Sequence, residues 1–284
     1  MKANAFIEQN GGKVFNSYSS IILSPEIDAI YLPLPPALHY HWAKKALLAG
    51  KHIFIEKPAT TISKNSFEII RLANSKNLAV HENYMFVFHD QLKAIDGIIQ
   101  SGEIGDVRLF RISFGFPRRE QNDFRYNKAL GGGALLDAGG YTIKYASMLL
   151  GESAKIVQAQ SNFIYEFEVD IYGSAVMVNE NGTTAQIAFG MDNSYRCDLE
   201  IWGSKGYLLS GRVLTAPPGF IPEVSVTIGN ETEIRKLPID DAFKKSIQHF
   251  HKCIEHETVR KENYEEIIRQ AKLVNTFLEK ANTK

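Results

Sequence analysis

Cysteine is scarce. Cys197 and Cys253 are the only two in 284 residues and stand far apart. They define no disulfide framework and fit a reducing compartment, so a cytoplasmic location is expected. Excess charge is lacking too: 32 basic side chains balance 32 acidic ones, which gives nucleic acid no basic stripe to bind. No apolar run approaches membrane-spanning length, and Met1–Ala5 opens no apolar signal core, so neither a membrane partner nor a secretory leader is expected. Repeats and low-complexity tracts are missing. His249, Cys253 and His256 would share one helical face, but structural zinc draws its ligands from separated elements, so no metal is expected there. The remaining lack is of early glycine. No G-x-G-x-x-G/A precedes Glu56, and Gly11-Gly12, the only early pair, reads as a helix-to-strand turn between Phe6–Asn10 and Lys13–Phe15.

What is present suits a soluble protein of two domains with sizeable cores: 44% hydrophobic and 23% charged residues. The apolar run Ile27–Leu34 reads as a strand. A helix follows with Leu38, Trp42, Ala46 and Ala49 on one stripe, stopped by Gly50; Lys51–Ile55 is a second strand. Two buried strands joined by a helix imply a parallel pair with a right-handed crossover. A helix at Ser63–Asn74 and a strand at Leu78–Tyr84 continue the pattern. Beyond Val87 the pattern changes to a helix ending at Ser101-Gly102, a strand at Val107–Phe114, a helix bearing Asp137 and Tyr141, and then strands of period two. Phe163, Tyr165, Phe167, Val169 and Ile171 read as one face of a long strand; Leu199 and Ile201, and Val224, Val226 and Ile228, read likewise. Helices at Asp241–His256 and Tyr264–Ala281 close the chain. The expected fold class is α/β, a partial parallel sheet in residues 1–84, followed in residues 85–284 by an α+β domain with a large, mostly antiparallel open sheet.

Ligands of parallel sheets sit at the carboxyl ends of the strands. Pro33-Leu34-Pro35 and Glu56-Lys57-Pro58 both lie there. Pro58 restricts the backbone of Lys57. A lysine beside a cleft can hydrogen-bond a substrate hydroxyl or carbonyl and stabilise negative charge on that oxygen; the plainer reading is a surface lysine in a tight turn. Asp137 and Tyr141, four apart, share a helical face, and the glycines before them allow a tight turn into the helix. A tyrosine near a lysine can donate or accept a proton, because the cation favours phenolate. The plainer reading makes Asp137 an early-turn helix residue and Tyr141 a core aromatic. His39 follows the Pro-rich turn, where it could equally be an exposed helix N-terminal residue. Arg118, Arg125 and Tyr126 lie in the loop before the Asp137 helix. They could meet a pyrophosphate or be ordinary loop residues.

The stretch Ile27–Pro35, then His39, Ala49-Gly50-Lys51-His52 and Glu56-Lys57-Pro58, resembles the glucose–fructose oxidoreductase / inositol dehydrogenase family, known as Gfo/Idh/MocA. A second block, Gly131–Tyr141 ending at Leu149-Leu150-Gly151, agrees, as does Leu199–Gly206, so the resemblance runs through essentially the whole chain. It implies a Rossmann-type first domain, NAD or NADP as cofactor, and a catalytic set of Lys57, Asp137 and Tyr141. Pro33, Pro35, His39, Glu56, Lys57 and Pro58 would line the nicotinamide end. The implied substrate is a sugar or nucleotide-linked sugar, with Arg118, Arg125 and Tyr126 near its pyrophosphate. Tyr141, in place of histidine, resembles the branch acting on nucleotide-linked deoxysugars. Lys144 replaces a frequent acidic residue, and Met85 a frequent arginine. The resemblance further implies a homodimer or higher homo-oligomer through the outer face of the large sheet. Against the family pattern, the first strand–helix–strand unit with its phosphate-binding turn is missing, and the expectation is an N-terminally shortened copy of an active enzyme. The rival is a degenerate, non-catalytic homologue that dimerises or binds sugar.

Overall fold

The computed structural model describes residues 2–282. Two short helices, α1 (Lys2–Asn10) and α2 (Tyr18–Ile22), lead into a three-stranded parallel sheet. Its strands are β1 (Ala29–Leu32), β2 (His52–Glu56) and β3 (Val80–Asn83), paired in that order, with α3 (Pro36–Leu48) and α4 (Ser63–Ser75) as crossovers. Pro36 opens α3 in the first turn, where a missing N–H costs nothing. Gly50 follows α3 at φ 79°, a conformation glycine adopts without penalty. Ile30, Leu32, Ile53, Ile55 and Val80 form a core with side chains of both crossover helices.

Two local expectations fail here. The buried face of α3 is His39, Ala43, Ala46 and Leu47, rotated from the stripe read in the sequence. Leu38 is 37% exposed, and Trp42 is only partly buried, packing at the edge of the core and meeting Tyr18 edge-on at 5.0 Å between ring centroids. Gly11 and Gly12, both at positive φ, do end α1, but Lys13–Phe15 forms no strand. It pairs with no β-strand and instead lines an apolar groove with Phe6, Ile7 and Trp42.

Helix α5 (Asp90–Ser101) and β4 (Val107–Gly115) begin the second part, and α6 (Gly140–Leu150) precedes the remaining strands. These are β5 (Lys155–Phe163), β6 (Asp170–Val178), β7 (Thr184–Gly190), β8 (Arg196–Gly203), β9 (Gly206–Gly211), β10 (Glu223–Ile228) and β11 (Glu231–Lys236). They pair in the order β11-β10-β9-β8-β4-β7-β6-β5, antiparallel throughout except for β4 with β7. Inner-face residues such as Ile112, Ile171, Ile187, Leu199 and Ile201 join Ile95 and Ile143 of the helices in one core. The single strand read across Phe163–Ile171 is in fact the end of β5, a connection over residues 164–169 and the start of β6. The pairing of β5 with β6 shifts register at Asn162/Phe163, a turn closes from the Phe167 N–H to the Ile164 carbonyl, and Tyr165 is fully exposed. Alternating aromatics imitated a strand there, but Phe167 stacks on Tyr126 of the loop before α6 instead of joining a ladder.

The chain ends in α7 (Ala242–Glu255) and α8 (Glu257–Asn282). Helix α8 contributes Tyr264 and Ile267 to the first core and Leu273 and Phe277 to the second. No helix among the described residues is long and apolar enough to cross a membrane.

Candidate active site

A crevice of about 260 Å³ opens at the carboxyl ends of β1 and β2. One wall is the apolar turn Pro33–Pro36; the other carries Glu56, Lys57, Asp137 and Arg125. Lys57 leaves β2 just before a cis bond to Pro58. The Ala59 N–H donates to a Glu82 carboxylate oxygen at 2.7 Å, so β3 holds the turn from behind. Glu56 is fixed by Tyr31 at 2.7 Å and by the Asn83 amide at 2.8 Å. His39 is fully buried and corrects one expectation. It does not line the crevice; its two ring nitrogens face the Pro58 and Leu34 carbonyls at 2.9 and 2.7 Å, bracing one loop against the other. Burial pushes its pKa down.

Asp137 and Tyr141 arrive on a helix that starts irregularly. Leu135–Gly139 form a single π-turn that runs into α6. Such turns are rare and concentrate at functional sites. Asp170 caps this start: its carboxylate accepts the Leu135 N–H at 2.7 Å, near the positive end of the helix. The glycines are needed for approach. A Cβ on Gly133 would meet the Asp170 carboxylate, and one on Gly140 would lie 2.2 Å from the Tyr84 hydroxyl.

The Lys57 ammonium donates to Asp137 Oδ1 at 2.6 Å and to the Asp137 main-chain carbonyl at 2.8 Å. The other carboxylate oxygen accepts from Arg125 Nε at 2.7 Å. Burial opposes the charge on Asp137, but Lys57 and Arg125 outweigh it and hold the carboxyl below its usual range. Tyr141 packs edge-on to Tyr84 with centroids 5.2 Å apart, and the Lys57 ammonium lies 5.0 Å from its ring centre. The lysine therefore does not make Tyr141 acidic. Burial first, then the charge of Asp137, push the phenol pKa upward and keep it protonated.

Of the other sequence candidates, Arg125 lines the crevice, whereas Arg118 and Tyr126 do not. Arg118 is held by Glu166 and Asp192, each at 2.8 Å. Tyr126 is buried, with its hydroxyl donating to the Met191 carbonyl at 3.1 Å. Lys144 pairs with Glu266 on α8, away from the crevice lining. Sequence reasoning missed Glu82, Tyr84 and Asp170. The glycine pair Gly139-Gly140 carried a usable signal, since consecutive glycines on a helix mark close approach by a neighbour.

The crevice suits the nicotinamide end of a dinucleotide. Its proline wall offers an apolar face to a flat ring, and Glu56 and Lys57 offer polar groups at the opposite edge.

Residues 1–84 match the profile of an oxidoreductase family with an NAD-binding Rossmann fold, and residues 92–209 match the Gfo/Idh/MocA C-terminal domain. A dTDP-3,4-didehydro-2,6-dideoxy-alpha-D-glucose 3-reductase of Actinomadura kijaniata is 36% identical, over 96% of this chain and 82% of its own. One from Saccharopolyspora spinosa is 35% identical, over 97% and 85%. A crystal structure of a 3-ketoreductase from Actinomadura kijaniata, in complex with NADP and TDP-benzene, superposes with a TM-score of 0.94. That match is 36% identical in sequence and covers 98% of this chain and 86% of the other. The same ketoreductase has been crystallised with one lysine changed to alanine or glutamate, and with one tyrosine changed to phenylalanine. Those two positions are as far apart in its chain as Lys57 and Tyr141 are in this one.

Proposed function

The chain belongs to the Gfo/Idh/MocA oxidoreductase family, and from that premise we propose that it is an NADP(H)-dependent ketoreductase of nucleotide-linked deoxysugars. The observation that carries the reading is the Lys57–Asp137 pair beside a protonated Tyr141, at the mouth of a parallel sheet. Similarity over nearly the whole chain to dTDP-sugar 3-reductases supports a 3-keto group as the reacting centre.

Pro33, Pro35 and Pro58 would pack the nicotinamide ring, and Glu56 would meet its polar edge. The cofactor, when bound, supplies the hydride. The residues of the chain handle the oxygen. An ammonium has three N–H groups, and Asp137 engages two of those on Lys57. The third serves the keto oxygen and stabilises its growing negative charge. Tyr141, buried behind the crevice lining with its ring under the Lys57 ammonium, would supply the proton that turns this oxygen into hydroxyl.

The same reading divides cofactor and substrate domains near residue 84, where the chain passes from one core to the other, with α7 and α8 returning to pack on the first. It places the protein in a reducing cytoplasm, consistent with two unpaired thiols, and pairs two copies through the outer face of the large sheet, where Trp202, Leu209 and Tyr172 are half exposed.

The test mixes the protein with NADPH and a dTDP-linked 3-keto-deoxysugar and follows NADPH absorbance. Substrate-dependent oxidation is expected. Lys57→Ala should cut kcat by about a hundredfold or more while NADPH binding by calorimetry persists. Absence of both turnover and NADPH binding in the well-folded protein would overturn the reading.

A further inference from the structure

Arg125 stood in the sequence as a candidate for the substrate's pyrophosphate. Its geometry gives it other work. The residue sits on a short 3-10 turn, Phe124–Tyr126, started by Asp123, whose carboxylate accepts the Arg125 main-chain N–H at 3.0 Å. The same carboxylate accepts from Arg125 Nη1 at 3.2 Å, and the guanidinium lies 4.7 Å from the Phe124 ring centre. The turn is locked to the start of the catalytic helix. The Gly133 N–H donates to the Arg125 carbonyl at 2.9 Å, and a Cβ on Gly132 would come within 2.3 Å of that carbonyl oxygen. Backbone and side chain of one residue thus grip the helix that bears Asp137.

We infer that Arg125 is the positioning residue of this site, occupying one oxygen of Asp137 so that only the other reaches Lys57. The consequence is geometric. A carboxylate facing a lone ammonium is free to turn both oxygens onto it. Lys57 already gives one N–H to the Asp137 main-chain carbonyl. Two further bonds to the carboxylate would exhaust its donors and leave none for a substrate oxygen. With Arg125 Nε holding Oδ2, the carboxylate plane is fixed and Lys57 keeps a free N–H. Arg125, at 22% side-chain exposure, faces the crevice yet spends its Nε and Nη1 donors on Asp137 and Asp123. A lysine there would supply charge without the planar fork that makes both contacts.

The inference rests on the catalytic reading of Lys57 and is tested separately from it. The charged and titratable groups around Asp137 are Lys57 and Glu56 from the end of β2, Arg125 and Asp123 from the 3-10 turn, Tyr84 after β3, and Tyr141 on its own helix. The full chain, labelled with carbon-13 at aspartate carboxyls, is titrated by NMR, with the Asp137 signal assigned by Asp137→Asn. The wild-type midpoint should fall below the usual carboxylate range. Removing one of two cations leaves the charged form less favoured, so Arg125→Ala should move the midpoint to higher pH, and Arg125→Lys should recover most of the loss. In turnover, Arg125→Ala should lower kcat about tenfold or more with NADPH affinity unchanged. Should the alanine variant fail to fold, Arg125→Gln fills similar space without charge and takes its place. An unmoved midpoint in a folded variant overturns the inference, as does a rise in substrate KM with kcat unchanged, the signature of a phosphate contact. Failure of Lys57→Ala to affect turnover would sink the catalytic reading instead, whatever the NMR midpoint does.

Discussion

Glu82 lies behind the Glu56–Pro58 turn and has the opposite electrostatic sense to Asp137. Burial, the largest influence, raises its pKa to about 7; the Ala59 N–H, Lys144 and Lys57 pull it back only in part. An unfolded glutamate titrates near ~4.3. The folded state therefore binds this proton more tightly. Its stabilising contribution is complete below the unfolded value and is lost as pH rises through about 7. Glu82→Gln keeps an oxygen for the Ala59 N–H and removes the titration. Chemical denaturation at pH 5.5 and 8.5 should show the wild type losing stability across that interval and the variant losing less. Equal losses would assign the pH dependence to other groups.

At the scale of elements, the π-turn and α6 depend on glycine where Tyr84 comes close. Gly140→Ala places a methyl group 2.2 Å from the Tyr84 hydroxyl but 3.3 Å from the ring carbon that bears it. The single substitution should cost about 1–3 kcal/mol in urea unfolding. Adding Tyr84→Phe removes the clashing atom, so the double variant should recover part of that loss. Strict additivity would show that the collision is not the cause. The same region marks the limit of what the sequence discloses. The parallel strands, the period-two strands at Leu199 and Val224, and the helix bearing Asp137 and Tyr141 were legible, because apolar periodicity and glycine stops act locally. The π-turn was not, since it depends on Asp170, Tyr84 and Gln270, which reach it from distant segments. Nor was the role of Arg125: side-chain direction in a loop is set by its partners, and the pairing with Asp137 follows only once the glycine segment folds back on the turn. The aromatic alternation at Phe163–Ile171 misled because its members serve unrelated ends: Phe167 stacks on Tyr126, while Tyr165 faces solvent.

For the whole molecule, the large sheet presents its outer face unpaired. Trp202 is 52% exposed there, and a cross-strand row runs Gln186, Arg111, Glu200, Leu209. Arg111 bonds both Gln186 and Glu200, so the row is ordered within one chain, as the proposed dimer face would require. Trp202→Glu should lower the oligomeric state in sedimentation velocity while leaving the fold and NADPH affinity unchanged. A wild type that sediments as a monomer at micromolar concentration would refute the dimer.

Helix α8 is the other feature of this scale. Asn263 bonds the Val80 carbonyl beneath the parallel sheet, and Gln270 bonds the Gly140 carbonyl at the catalytic helix, so one rod seals both cores. On the ribosome this matters. The parallel strands are synthesised well before α8, yet their core lacks Tyr264 and Ile267 until that helix emerges. The first domain therefore waits for a distant segment, and chaperones would meet it with an apolar flank uncovered.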